Sequence, residues 1–359
     1  MSAPFMGEAR RWLRLTFPTH FVAIVGVAVG LAVLAAAMIA IARIRDHRSS
    51  RYGLIAAAFV LAVTYSLRSS IGNPESDVVE HVHFVEYGLV TWLFYRAWLG
   101  LGDAGVLVLP ILAGLAVGTM EEWFQWFLPA RVGELRDIFL NGAAIVTGLL
   151  FAIAIRPPGR LTSGVRAGSL AHVFGVSALL AALIAGFLAS VHVGYEIVDA
   201  EAGRFRSIYQ ASDLDRHSRD RAATWATQPP LVRPPRLSRE DQYMSEGLLH
   251  VQERNRQWDA GHAGAAWFEN RILERYFVPV LDTPSYVSRT GHRWPAGQHD
   301  DARRRLAADT EVTAATFVSH AQGEFPIFTW PRPIFAAVSA AIVAGLAALS
   351  VAAARRPRV

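Results

Sequence analysis

Residues 121–141 read EEWFQWFLPARVGELRDIFLN, and the fold is decided by what adjoins them on either side. An apolar run from Ala104 to Phe127 ends inside this stretch, and another, Ile138 to Ile155, begins inside it. Each is close to the about 20 residues a helix needs to cross ~30 Å of hydrocarbon. Between them sit Glu121, Glu122, Gln125, Arg131, Asp137 and Asn141. An ionisable group at the edge of hydrocarbon costs about 3 kcal/mol or more, so such groups usually have a partner or a function.

Working outward, five further runs have the same character: His20 to Ala42, Gly53 to Leu67, Val79 to Trp98, Leu170 to Val193 and Pro333 to Ala354. Composition agrees. The 359 residues are 52% hydrophobic and 18% charged, with a mean hydropathy of +0.26, too apolar for an ordinary soluble enzyme. The expectation is an all-α protein: a polytopic membrane helical bundle of about seven spans. Its formal charge of +5 is carried by arginine alone, because lysine is absent. Loops facing anionic headgroups account for that balance without nucleic acid. Cysteine is also absent, which excludes disulfides, thiolate metal sites, iron–sulfur clusters and covalent haem. No cleavable signal is expected, since the first run is too long for one and no small-residue cleavage site follows it before Arg43.

Arginine asymmetry sets the expected orientation. Arg43, Arg45, Arg48 and Arg51 follow the first run, Arg156, Arg160 and Arg166 follow the fifth, and three arginines close the chain. A seven-span topology puts all of these on one side, the cytoplasm, and the N-terminus outside. Arg10, Arg11 and Arg14 dissent, and an interfacial helix would accommodate them. The expected divisions are 1–52 (N-terminal segment and first span), 53–156 (a four-helix membrane domain), 170–193 (the sixth span), 194–329 (a mainly α extracytoplasmic domain) and 330–359 (the last span and a basic tail). Within the polar domain, Pro229, Pro230, Pro234 and Pro235 suggest an extended linker, and Ser238-Arg239-Glu240-Asp241 a helix start. Helical texture runs on to Phe277 with breaks near Gly261 and Gly264, and a further helix is expected from Asp300 to Phe317. Leu248, Val251, Trp258, Trp267, Ile272, Leu273 and Tyr276 are its candidate core.

Three runs carry polar residues to a similar depth. The third holds Glu80, His81, His83, Glu86 and Tyr87, the fourth Glu121, Glu122 and Gln125, and the fifth Asp137 and Asn141. His83 and Tyr87 are four apart, as are Asp137 and Asn141, while Glu122 and Gln125 are three apart, so each pair shares a helix face. Three such faces can close on one another into a polar site. Asp137 also falls near a helix start, where free amides favour a carboxylate.

His83-Phe84-x-x-Tyr87, then Glu122-x-x-Gln125-x-Phe127-x-Pro129-x-Arg131, then Asp137-x-x-x-Asn141-Gly142 and Gly148 resemble the VanZ-like membrane proteins, named for a teicoplanin resistance factor. The resemblance covers about residues 54–155. One position departs: a basic residue usually precedes the family histidine where Val79-Glu80 stands here, which puts an anionic ligand at that point in question. The resemblance implies a cell-envelope role.

Three readings of His83, Tyr87, Glu122, Gln125, Arg131, Asp137 and Asn141 stay open. They can be an inter-helix hydrogen-bond network. They can bind a headgroup, with Arg131 on an anion and the carboxylates and Asn141 on hydroxyls or amines. Or they can be catalytic, with His83 or Glu122 as general base. His81 and His83 with Glu86 or Glu122, and Glu246 with His250, are weaker metal candidates; hydrogen bonding suits them better, and neither metal nor cofactor is expected. The favoured function is a multi-pass protein of the inner (cytoplasmic) membrane, binding a lipid-linked or anionic headgroup near the outer face. Its partner would be a membrane lipid or a lipid-linked envelope precursor. A membrane hydrolase or transferase and a structural or sensory subunit are the alternatives.

Overall fold

The computed structural model describes residues 9, 12–70, 74–128, 133–159, 161, 164–228, 230, 242–285, 287–308, 312–322 and 326–356. In chain order its elements are α1 (Phe21–Arg43), α2 (Arg48–Ser69), α3 (Pro74–Trp98), α4 (Gly105–Gln125), α5 (Leu135–Ile155), α6 (Ala167–Val191), β1 (Tyr195–Asp199), β2 (Gly203–Ser207), α7 (Ala211–Trp225), α8 (Gln242–Asp259), α9 (Ala263–Tyr276), α10 (Val278–Asp282), α11 (Ala296–Ala308) and α12 (Arg332–Ala354). They form two units: a helical one of residues 1–125, 134–187 and 336–359, and a polar one of residues 126–133 and 188–335.

Six helices of the described residues are long and apolar enough to cross a membrane: α1, α2, α4, α5, α6 and α12. This is a multi-pass membrane protein. Burial ranks them. About half of the apolar window of α4 (56%) and α5 (50%) is buried, against 6% for α1 and none for α12. The outer helices therefore keep apolar side chains such as Leu31, Ile41, Ile334 and Ile342 at the surface, which hydrocarbon tolerates and water does not.

The third run expected as a span, α3, fails on composition because it carries Glu75, Asp77, Glu80, Glu86 and Arg96. It nonetheless runs alongside α5 from end to end. Glu80 near its start pairs with Arg136 in the first turn of α5, and Tyr95 near its end donates to the Arg156 carbonyl just past the last turn (2.7 Å). Small residues permit this closeness: a Cβ added to Gly148 of α5 would lie 2.6 Å from the Cα of Gly88 on α3. Likewise a Cβ on Gly186 of α6 would strike the Trp123 ring of α4 at 2.3 Å. The C-terminal carbonyls of α5 are capped by the buried Arg51 of α2, which donates to Ala154 (2.7 Å) and Ile155 (2.8 Å). α2 begins at Arg48, several residues before the apolar run starts at Gly53, so Arg51 stands in its first turn. Asp103 ties the start of α4 to the loop before α6, accepting from the backbone N–H of Gly105 and of Arg166.

The polar unit is mainly helical, with one feature the sequence reading did not foresee. β1 and β2 form an antiparallel hairpin in register Tyr195 to Ser207 and Asp199 to Gly203. The Asp199 carboxylate accepts from the backbone of Glu201 and Ala202, and Gly203 takes a φ of +89° to close the turn. α8 and α9 break at Gly261, as expected, where φ is +83°, whereas Gly264, the other expected break, lies inside α9. Leu248, Val251, Ile272, Leu273 and Tyr276 are buried in the core, with Phe205, Leu214, Tyr243 and Phe277. Trp267 packs on its edge, while Trp258 instead meets Trp294. The helix expected over Asp300 to Phe317 is corrected to α11, which ends at Ala308. Phe317 and Ser319 turn back to hydrogen-bond Arg204 of β2 instead. The helix start at 238–241 and Pro229, Pro234 and Pro235 of the proline cluster fall outside the described residues.

Candidate functional site

The polar residues of α3, α4 and α5 meet. One turn apart on α3, His83 and Tyr87 stack with ring centroids at 6.1 Å. The His83 Nδ1 lies 3.0 Å from the Asn141 Oδ1 of α5, and with an amide oxygen as acceptor the Nδ1 is the donor of that bond. Tyr87 donates its hydroxyl hydrogen to the Glu121 Oε2 at 2.9 Å. Gly118 of α4 makes the convergence possible, because a Cβ there would sit 3.2 Å from Asn141 and 3.3 Å from Tyr87.

Glu122 is one turn beyond Gly118 and fully buried. Its carboxylate accepts from the Gln125 side chain at 3.3 Å and from the Glu134 backbone N–H at 3.4 Å. Both exceed the usual 2.7–3.2 Å range and are weak. Asp137 stands in the first turn of α5 and, with Glu121, acts electrostatically on Glu122. Buried side-chain atoms of α4 and α5, among them the Asn141 Nδ2 and the Thr119 Oγ1, have no hydrogen-bond partner among the described residues. Of the seven sequence-predicted site residues, His83, Tyr87, Glu122, Gln125, Asp137 and Asn141 are thus brought to one level of the helical unit. Arg131 lies outside the described residues.

Sequence reasoning missed Arg136. It pairs with Glu80 and donates to the Ser69 carbonyl of α2 at 3.0 Å, while the Ser69 hydroxyl also reaches Glu80 (3.2 Å). The acidic Glu80 is answered by a basic residue 56 positions later. Only its helical phase, one residue before Asp137, could have suggested this.

In the polar unit, Glu246 and His250 do share a face of α8, but each is engaged elsewhere. Glu246 accepts from the Ser207 hydroxyl (2.6 Å) and the Ile208 N–H (3.0 Å), and burial pushes its carboxyl up to about 7. The His250 Nδ1 lies 2.7 Å from the Glu269 Oε2, whose other oxygen accepts from the Ser319 hydroxyl at 2.6 Å. Among the described residues no three His, Asp or Glu side chains come together closely enough for a metal ion.

No family model, no curated protein and no solved structure matches this chain. The likeness to VanZ-like proteins accordingly rests on its motif residues.

Proposed function

We propose that this is a cell-envelope membrane protein with seven spans that binds the headgroup of a lipid or lipid-linked envelope precursor between α3, α4 and α5. One observation carries the reading: among the described residues a buried amide donor, the Asn141 Nδ2, has no partner, and a buried carboxylate of the same cluster, Glu122, accepts two long bonds. Leaving a buried donor unmet costs about 1–3 kcal/mol. A ligand oxygen accepting from Asn141, with a hydroxyl or ammonium donating to Glu122, recovers that cost. Arg131, expected from the sequence as the anion contact, lies outside the described residues and enters only as a variant to test.

Topology supports the same reading. The match of α3 to α5 at both ends supports counting it as a seventh span, sheltered by its neighbours rather than by its own composition. Arg14 pairs with Glu75 at the start of α3 (2.9 Å), which supports putting the N-terminal segment on that same side. With the arginine-rich loops in the cytoplasm, the site between α3, α4 and α5 faces outward.

The test is a titration of the purified full-length protein with an envelope lipid extract. Glu122→Gln, Arg131→Ala and Asn141→Ala should each weaken binding by at least about tenfold while leaving the protein folded. Unchanged binding in all three overturns the proposal. A purely structural role for the cluster is the second reading, favoured by the full burial of Glu122 and Asn141. It predicts lost stability in those variants and no lipid dependence.

A further inference from the structure

A second candidate site lies within the polar unit. A cleft of about 290 Å³ opens beside α11, near the lower end of the about 300–1,000 Å³ typical of small-molecule sites. Its apolar wall is Trp294 with Leu281 and Ala296, and its polar wall is Asn270, Glu274, Arg293, His299 and Asp300.

The wall is held in place before any ligand arrives. On Trp294, the Arg254 guanidinium lies 5.0 Å from the ring centroid, and Arg254 is itself buried, so this face of the indole is the protein-side one. Trp258 packs at 5.5 Å, and the Gln298 amide oxygen, in its hydrogen-bonding orientation, accepts from both indole N–H groups at 3.1 and 3.2 Å. Asn270 is fixed from both ends, accepting from Arg254 (2.9 Å) and donating to Glu274 (2.8 Å). Glu274 in turn takes Arg271 at 3.1 Å and His299 at 3.4 Å. Groups locked this way lose little conformational entropy on binding.

Charge then narrows the ligand. Glu274 and Asp300 face Arg293, with Arg254 directly behind Asn270, so the cleft has no strong excess of either sign. Arg293 already pairs with Asp282. A strongly ionic ligand gains little in such a place. A ligand with several hydroxyls gains much, because each hydroxyl both donates and accepts, and the wall offers carboxylate, imidazole, guanidinium and amide groups together. An indole supplies the apolar surface that complements the C–H face of a sugar ring. The geometry points to a binding site for a neutral saccharide, built on Trp294, Glu274, His299 and Asp300. It is independent of the headgroup site, and either can fail alone.

The test is calorimetric titration of the full-length protein, in a detergent without a sugar headgroup, with two probes: the N-acetylglucosamine trimer and maltotriose. At least one should bind saturably. Trp294→Ala and Asp300→Ala should each weaken that binding by at least about tenfold, while Glu253→Gln, on a different face of α8, should leave it unchanged. Asp300 is exposed, so its substitution reads the site even if Trp294→Ala fails to fold. Absence of saturable binding to both probes, or binding indifferent to Asp300→Ala, overturns the inference. So does preferential binding of inorganic phosphate or of a polyamine.

Discussion

Glu246 and Glu269 in the polar unit and Glu122 in the helical unit are all carboxylates removed from solvent, yet they are held to different standards. Glu246 and Glu269 accept four bonds of 2.6–3.0 Å from two serines, a histidine and a backbone amide. No fully buried side-chain atom in that network lacks a partner among the described residues. Glu122 has two bonds beyond 3.2 Å, and the nearby Asn141 and Thr119 each leave an atom unmet. Buried polar groups that are fully satisfied specify a fold, whereas partly satisfied ones leave free energy that a ligand can recover. On the proposed reading, the difference separates a network that is architecture from a site that binds.

Substitutions should tell the two apart, and the largest effect is expected where satisfaction is complete. Glu269→Ala strips the acceptor from both His250 and Ser319 and should cost about 3 kcal/mol or more, read as a lower unfolding midpoint of the full-length protein in detergent. A cost near zero would mean this network is not structural. Next is a pH effect. The Glu246 carboxyl is pushed up to about 7 from an ordinary 4.5, so the folded state holds that proton more tightly than the unfolded one. Its contribution is therefore fully present below pH about 4.5 and is lost as pH rises through about 7, a swing of roughly 3 kcal/mol. Stability profiles between those limits should slope downward, and Glu246→Gln should flatten them; an unaltered slope would remove Glu246 as its source.

Smaller is the cost of Gly148→Ala, which forces a methyl against Gly88 and should destabilise the helical unit by about 1–3 kcal/mol by overpacking. A neutral result would place α3 and α5 farther apart than described. Smallest is Glu122→Gln, which keeps the shape of a poorly bonded group and should change stability by less than about 1 kcal/mol. If it proves as damaging as Glu269→Ala, the contrast between the two regions collapses.

Much of the helical unit was legible in the chain because hydrocarbon demands long apolar runs and leaves few alternatives. Spacing alone also brought His83, Tyr87, Gln125, Asp137 and Asn141 to one level, since helical phase is local information. What could not be read was long-range. Arg136 answering Glu80, and Arg51 capping the end of α5, join positions with nothing local to link them. The hairpin Tyr195–Ser207 was missed because two five-residue strands give too short an alternation to stand out. The helix assigned to Asp300–Phe317 was misplaced because Phe317 finds its partner in β2 rather than in the next helical turn.

Native mass spectrometry of the protein extracted from its own membrane bears most directly on headgroup binding between α3, α4 and α5. Wild-type protein should carry a retained lipid-sized mass that Asn141→Ala and Glu122→Gln lose. Equal retention by all three, or none by the wild type, would contradict it.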